Sequence, residues 1–218
     1  MSAAVLTLSE VEAAGGYSVI YADPPWAYRA GGKRNVAKEY TTMSVDEVCA
    51  LPVARLAARD AVLFLWTTWP HLPSALRVGD AWGFEYKTIG FVWIKRKWTL
   101  STTSGPLAWG IGNWTRSNTE PCLLFTRGRP RRTLGAGGIH SVVEAPRREH
   151  SRKPDEVRRR IERLLGVVAN DRVHENATVT ACELFARERA PGWDAWGDEV
   201  PGGNDFNLST TSNDFNGR

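Results

Sequence analysis

The sequence predicts an α/β fold in which helices cover both faces of a mostly parallel sheet. First, apolar runs typical of buried strands alternate with amphipathic helical segments along most of the chain. Second, 218 residues of 42% hydrophobic composition suffice for one sizeable core, so we expect a single domain over residues 1–200. Third, the clearest strand ends at a polar motif, and functional sites in such sheets lie at the carboxyl ends of the strands.

The clearest strand covers Tyr17–Ala22, a run of β-forming residues that stops where Asp23, Pro24 and Pro25 begin. The two prolines prevent both a continuing ladder and a helix. Residues 27–40 are polar and basic and contain two adjacent glycines, which predicts a mobile loop able to close over a substrate.

A helix is predicted after this loop. Ser44 and Glu47 have the spacing of a capping box, and the apolar positions that follow suit an amphipathic helix ending near Asp60. The later predicted elements are a strand over 61–67, a helix over 70–82, strands over 88–94, 121–126 and 139–143, a helix over 154–165 and a strand over 179–185. Residues 201–218, rich in Gly, Asn, Ser and Thr, predict a disordered tail.

Composition excludes several classes of protein. No basic segment followed by an apolar run opens the chain, and no stretch approaches the roughly 20 apolar residues that span a bilayer, so we expect a cytoplasmic protein with no membrane partner. Cys49, Cys122 and Cys182 have apolar neighbours and form no C-x-x-C pair, which favours reduced thiols over a disulfide or a metal site. The absence of G-x-G-x-x-G disfavours a dinucleotide enzyme.

Positive charge is concentrated in one segment. The net charge is +4, but residues 127–163 carry twelve Lys or Arg against five acids, an excess of seven. A basic stripe of this kind neutralises phosphates and predicts salt-dependent binding to nucleic acid. For residues 158–163, the solvated face of a helix is an equally good interpretation.

The motif at residues 23–26, DPPW, has the groups needed to hold an aromatic amine, a poor nucleophile because its lone pair is delocalised. The Asp23 carboxylate and the Pro24 carbonyl can each accept a hydrogen bond from one N–H of the amine. These bonds favour a tetrahedral nitrogen and stabilise its developing positive charge. Pro24 and Pro25 fix the backbone, and Trp26 offers a flat face on which a base stacks. A proline-stiffened turn with Asp as a local cap is the alternative.

A loop rich in Trp and Gly lies before the strand at 121–126. Most tryptophans belong to the core, but glycines at 110 and 112 favour an open loop. Trp109, and Trp114 together with Arg116, are therefore candidates for a surface that stacks bases and binds phosphate beside the pocket.

These motifs resemble the MT-A70-like family of S-adenosylmethionine-dependent N6-adenine methyltransferases, in its compact bacterial and phage form. The resemblance covers about residues 17–200, and both the content and the order of the motifs support it. They are ADPPW at 22–26, YTTMS at 40–44, FLW at 64–66, WGIGNW at 109–114 followed by Arg116 and Glu120, SRKPDE at 151–156, ELFAR at 183–187 and PGWDAWG at 191–197.

The resemblance implies a Rossmann-like methyltransferase fold with a permuted order, in which the catalytic motif precedes the donor-binding strand. It implies S-adenosylmethionine as the methyl donor, S-adenosylhomocysteine as the product, and no metal. On the target side, Asp23 would contact the amine and the methionine part of the donor, and Tyr40 would close the pocket. Lys153 would pair with the methionine carboxylate or a phosphate, the alternative being a surface lysine at a helix start.

On the donor side, the resemblance places Glu183, Phe185 and Arg187 at the end of the donor-binding strand, to bond ribose hydroxyls and cover adenine. Glu183 could instead be a simple strand-end acid. Family members commonly carry Gly-Asn where this chain has Gly197 and Asp198, which replaces an amide with an acceptor-only carboxylate. The remaining candidate donor contacts are Arg189, Asp198 and Glu199.

The predicted reaction is methyl transfer to an adenine flipped out of its strand. The short chain favours DNA over RNA as the polymer. We expect the protein to act as a monomer or homodimer. Two alternatives stay open at this point: a non-catalytic nucleic-acid-binding member of the same fold, and a cytosine N4 methyltransferase, since the same acceptors suit any exocyclic aromatic amine.

Overall fold

A computed structural model describes residues 7–27, 42–97, 105–110, 112, 114–132, 137–149, 152–167, 180–197 and 200. Five α-helices and seven strands lie within these residues, together with a short 3₁₀ turn at Trp69–His71. In chain order they are α1 (Leu8–Ala13), β1 (Tyr17–Ala22), α2 (Val45–Ala50), α3 (Val53–Leu56), β2 (Ala57–Trp66), α4 (Leu72–Ala81), β3 (Glu85–Arg96), β4 (Thr119–Arg127), β5 (Val142–Pro146), α5 (Asp155–Leu165), β6 (Ala181–Leu184) and β7 (Asp194–Trp196).

The strands of the described residues form one sheet in the order β5-β3-β4-β2-β1-β6-β7. Four neighbouring pairs are parallel, and β4 runs antiparallel to both β2 and β3. This confirms the predicted mostly parallel sheet. Because β4 is reversed, its first residues lie beside the last residues of β2, so that Trp66 pairs with Cys122. The start of β4 therefore shares an edge with the carboxyl ends of β1, β2 and β6.

Helices cover both faces of the sheet, as predicted. Alternate residues of a strand point to opposite faces. On one face, Ile20 and Leu63 pack in a buried cluster with residues of α1, α2, α3 and α4. On the other face, Val19 and Tyr21 pack with Val157 and Ile161 of α5. β1, which carries the DPPW motif at its end, is thus buried on both sides and supplies a rigid base for the residues that follow it.

The helix predicted from Ser44 to about Asp60 is wrong in its second half. The capping box is present, since Ser44 accepts the Glu47 N–H at 3.2 Å, but α2 ends at Ala50. Pro52 disfavours the helical conformation at Leu51, whose ψ is 138°. The chain makes only the short α3 before β2 begins at Ala57.

Other boundaries also differ. The strand predicted over 139–143 lies at Val142–Pro146, because Val142 to Pro146 are the residues that pair with β3. The strand predicted to reach residue 185 ends at Leu184, since Phe185 has a φ of 61° that a strand does not allow. Sequence reasoning missed α1 and β7. Residues 28–40 of the predicted loop and the predicted tail at 201–218 lie outside the described residues.

Two further predictions concern the cysteines and the membrane. Cys122 and Cys182 are buried free thiols, as predicted, whereas Cys49 is only half-buried. Burial raises the pKa of the Cys122 and Cys182 thiols. Among the described helices, none has the length and apolar character to cross a membrane.

The close contact between α4 and β4 depends on Gly79. A Cβ added at this position would lie 2.2 Å from Cε1 of the buried Phe125. We expect Gly79→Val to lower the free energy of unfolding by roughly 2 kcal/mol, because overpacking a well-filled core forces side chains off their rotamers. Urea unfolding measures the change. The control is Gly137→Val, where the added group meets open space; equal stabilities of the two variants would show that Phe125 yields without cost.

Candidate active site

A cleft of about 580 Å³ opens at the carboxyl edge of the sheet. Its volume lies in the range of sites for small organic ligands. The cleft lies between the ends of β1 and β6 on one side and the start of α5 on the other. Its lining is rich in charge: Tyr21, Asp23, Arg147, Arg148, Glu149, Arg152, Lys153, Pro154, Asp155, Arg158, Glu183, Phe185, Arg187 and Glu188.

Asp23 follows β1 directly and faces the cleft, with 31% of its side chain exposed. The backbone beyond it is held by a tight turn and by pairing with the strand-like residue Met43, whose N–H donates to the Pro25 carbonyl at 2.9 Å. The Pro24 carbonyl accepts the Trp26 N–H at 2.9 Å. A carbonyl oxygen has a second lone pair, so Pro24 retains acceptor capacity for a ligand.

Lys153 is the immediate partner of Asp23. Its Nζ lies 2.7 Å from Asp23 Oδ2 and 3.5 Å from Glu120 Oε2, and its side chain is only 12% exposed. The ammonium also lies 5.6 Å above the ring of the fully buried Trp66. These contacts exclude the alternative of a surface lysine at a helix start.

The segment that carries Lys153 is anchored by Arg148. The guanidinium of Arg148 donates to the Lys153 carbonyl and pairs with Asp155 at 2.8 Å. Pro154 then caps α5. The lysine is therefore fixed through its backbone as well as through its ammonium.

Opposed effects set the protonation of Asp23 and Lys153. Burial raises the pKa of Asp23, and the Glu120 carboxylate adds to this rise, while Lys153 opposes it. Burial alone would lower the pKa of Lys153, but the carboxylates of Asp23 and Glu120 outweigh burial and raise it. Lys153 is accordingly a stable cation, and Asp23 is a more basic acceptor than an exposed aspartate.

Glu120 belongs to this cluster, although sequence reasoning gave it no role. It is the second residue of β4 and is 7% exposed. Lys95 of β3 donates to its Oε1. Two signals were available in the sequence: Glu120 follows the WGIGNW motif that supports the family resemblance, and it is an acid at the start of an apolar strand. Placing it beside Asp23 required knowing that β4 is antiparallel.

Trp26 occupies a different position from the one predicted. Its indole N–H donates to the Trp66 carbonyl at 3.1 Å, and its ring stacks on His71 with centroids 5.9 Å apart. Only 7% of its surface is exposed. The structure thus gives Trp26 a place in the core instead of a free face for stacking a base.

On the donor side, Glu183 at the end of β6 faces the cleft and pairs with Arg158 of α5, with Oε2 and Nη2 2.6 Å apart. Burial raises the pKa of Glu183, and Arg158 opposes that rise. Phe185 and Arg187 also line the cleft, with Phe185 in the left-handed region. A non-glycine residue in that conformation is often found at functional sites.

Of Arg189, Tyr40, Asp198 and Glu199, the structure describes Arg189 alone. Arg189 is exposed and is not among the described residues that line the cleft. Tyr40, Asp198 and Glu199 lie outside the described residues.

Much of the basic segment is neutralised by ion pairs. Arg152 pairs with Glu188, and Arg159 and Arg160 both pair with Glu156. For Arg159, whose side chain is 65% exposed, this resembles the solvated, paired helix face that was the alternative interpretation, whereas Arg158 lies in the cleft and pairs with Glu183. The exposed arginines of the segment are Arg129, Arg131, Arg132, Arg147, Arg152, Arg159 and Arg163.

The Trp-rich loop carries two exposed indoles. Trp109 is 66% exposed and Trp114 is 99% exposed. Arg116 lies over the ring of Trp109, 5.1 Å from its centroid, which places a positive charge on an exposed aromatic face. At Gly110 and Gly112 the backbone of the loop packs closely on itself, since added Cβ atoms would lie 1.8 Å from Ser117 O and 2.0 Å from Thr115 O.

Comparison with known proteins adds an independent finding. A profile of the family described as MT-A70 matches residues 17–199. The Type II methyltransferase M.MunI of Mycoplasma sp is 34% identical over 206 residues, which cover 85% of this chain and 78% of that protein.

Two longer relatives are more distant. The N(6)-adenosine-methyltransferase MT-A70-like protein of Drosophila melanogaster is 30% identical, over 86% of this chain and 28% of that protein. The N(6)-adenosine-methyltransferase catalytic subunit METTL3 of Homo sapiens is 28% identical, over 88% of this chain and 30% of that protein. The chain therefore spans less than a third of the length of these two relatives.

Proposed function

This chain belongs to the MT-A70 family of methyltransferases, and we propose that it transfers a methyl group from S-adenosylmethionine to the N6 amine of adenine in nucleic acid, with DNA as the favoured polymer. The observation that carries the proposal is the pairing of Asp23 and Lys153 at the carboxyl end of β1, inside the charged cleft. The relatives named N(6)-adenosine-methyltransferases support adenine as the base.

On the target side, the Asp23 carboxylate and the Pro24 carbonyl each accept a hydrogen bond from one N–H of the amine. Asp23 suits this role because burial raises its pKa and makes its oxygens stronger acceptors while Lys153 keeps them oriented. As the amine nitrogen becomes positive, the carboxylate stabilises that charge without rearrangement. Trp26, packed between His71 and β2, holds the backbone of the motif in place.

The charge and the volume of the cleft support S-adenosylmethionine as its ligand. S-adenosylmethionine supplies an electrophilic methyl on a sulfonium, and its methionine part carries an ammonium and a carboxylate. Asp23 and Lys153 are matched to those two groups. Glu183 offers acceptors for ribose hydroxyls and Phe185 an aromatic face for adenine, with Arg187, Arg189, Asp198 and Glu199 as further proposed contacts. Arg158 keeps Glu183 oriented from the opposite wall.

The polymer is proposed to cross the rim of the cleft near Trp109. Arg116 stacked on Trp109, and Arg147 within 3.5 Å of the Trp109 carbonyl, combine aromatic surface with positive charge. Trp114 is exposed enough to stack on a base, and Tyr40 is proposed to close the pocket. The preference for DNA rests on the greater similarity to the type II methyltransferase. We further propose a cytoplasmic protein, monomeric or homodimeric.

The test is a methyl-transfer assay with labelled donor and matched DNA and RNA oligonucleotides, each single- and double-stranded, followed by nucleoside digestion and mass spectrometry. We expect N6-methyladenine, formed faster on DNA. N4-methylcytosine as the product would show that the target base is cytosine and not adenine. Faster methylation of RNA would show that RNA is the preferred polymer. Donor binding without any methylated nucleoside would overturn the proposed reaction.

A further inference from the structure

We propose that Glu120, held by Lys95, is a positioning residue that keeps the Lys153 ammonium between Asp23 and the donor site. This inference rests on the proposed function. It concerns two side chains, on β3 and β4, to which that function assigns no role.

The geometry of four charges carries the inference. Along the sheet edge, Lys95, Glu120, Lys153 and Asp23 alternate in sign, and each contacts the next. Glu120 is buried, yet its Oε2 accepts no hydrogen bond from the described residues. That oxygen lies 3.5 Å from Lys153 Nζ. A buried carboxylate oxygen without a hydrogen bond is costly, so its placement calls for an explanation beyond packing.

The asymmetry of the two contacts explains how Glu120 acts. Lys153 is hydrogen-bonded to Asp23 at 2.7 Å but is attracted to Glu120 only across 3.5 Å. The Glu120 carboxylate therefore attracts the ammonium without displacing its hydrogen bond to Asp23. Lys95 limits this pull because it neutralises the other oxygen of Glu120. The ring of Trp66 below the ammonium adds a third constraint.

Glu120 and Lys95 should therefore shift the ionisation of Asp23 in opposite directions when removed. Without the Glu120 charge, the pKa of Asp23 falls, because that charge raises it in the wild type. Without Lys95, Glu120 competes more strongly for the Lys153 ammonium. The interaction between Lys153 and Asp23 then weakens, and the pKa of Asp23 rises. The other groups that act on or face Asp23 stay unchanged in both variants: Tyr21, Cys122, Glu183 and Arg187.

The experiment compares Glu120→Gln and Lys95→Gln in the full chain, by measuring kcat against pH with saturating donor and oligonucleotide. We expect each variant to lose roughly 10-fold to 10²-fold in kcat, the upper value being the effect of misplacing a catalytic group by about 1 Å. We expect the acidic limb of the profile to move to lower pH in Glu120→Gln and to higher pH in Lys95→Gln. The matched control is Glu144→Gln, which breaks the neighbouring surface pair with Arg96 and should leave the profile unchanged.

The outcomes separate this inference from the proposed function. The positioning role would be overturned if the acidic limb moved in the same direction in Glu120→Gln and Lys95→Gln, or did not move in either folded variant, while the wild type remained active. A wild type without methyl transfer would instead overturn the proposed function. If a variant fails to fold, Glu120→Asp is the second measurement: it keeps the charge but shortens the side chain, so kcat should fall with little shift of the limb, and an unchanged kcat would contradict the inference.

Discussion

Replacement of Asp23 by Ala is expected to lower methyl transfer by at least roughly 10²-fold to 10³-fold, the loss typical of removing one preorganised polar group from a transition state. The carboxylate lies at the end of a buried strand and is bonded to Lys153 at 2.7 Å, so its acceptor atoms are already in place. Asp23→Asn should be nearly as inactive, because an amide lacks the charge that stabilises the positive nitrogen. Methyl incorporation at saturating donor and oligonucleotide measures both.

The fold should survive these changes. Lys153 retains Glu120 as a partner, and β1 is buried independently of the Asp23 side chain. Asp46→Asn, at an exposed acid paired with Arg77, is the control for charge removal and should keep full activity. A folded Asp23 variant with wild-type activity would contradict the assigned role, and an unfolded one would contradict the independent burial of β1.

Stability against pH offers a second readout for the same variant. Burial raises the pKa of Asp23 in the folded state above its unfolded value of about 3.9. A raised folded pKa means that Asp23 stabilises the fold when protonated. This stability is present below the unfolded pKa and is lost as pH rises through the folded pKa. The free energy of unfolding of Asp23→Asn, relative to the wild type, should therefore increase across that interval and then stay constant.

Local pattern was sufficient for β1 and for the site that follows it, because a short apolar run that meets two prolines allows only one boundary. It failed for the helix after Ser44. There, the apolar positions Val48, Leu51 and Leu56 fit a helical period, but Pro52 interrupts it and Ala57 is drawn into pairing with Tyr17. Long-range pairing, not local propensity, decides where β2 begins.

Long-range pairing also explains why the sequence did not place Glu120 in the site. Glu120 is 97 residues from Asp23 in sequence, and only the reversal of β4 brings it to the edge where β1 ends. Alternation of strands and helices does not reveal which strand is reversed. Likewise, the sequence showed an excess of arginines near α5 but not that Arg158 reaches Glu183, since that pair joins elements at opposite sides of the cleft. The role of Trp26 was mispredicted because an aromatic residue next to a ligand pocket can equally belong to the core.

Replacement of Lys153 by Met is expected to reduce both activity and stability. Loss of the cation leaves the Asp23 carboxylate without its partner and beside Glu120, which keeps only Lys95, and this should lower the free energy of unfolding by roughly 3 kcal/mol. The pKa of Asp23 should rise further, because Lys153 opposes the effect of burial in the wild type. Transfer should fall by roughly 10²-fold, and its acidic limb should move to higher pH.

Donor binding distinguishes this variant from those at Glu120 and Lys95. If Lys153 pairs with the methionine carboxylate, Lys153→Met should weaken binding of S-adenosylmethionine, measured by calorimetry, by roughly 10-fold or more, since a charged hydrogen bond contributes about 1.5–3 kcal/mol. The matched control is Arg159→Met, an exposed cation on α5 that pairs with Glu156. Unchanged donor affinity in a folded Lys153→Met protein would assign the lysine to Asp23 alone and remove it from the donor site.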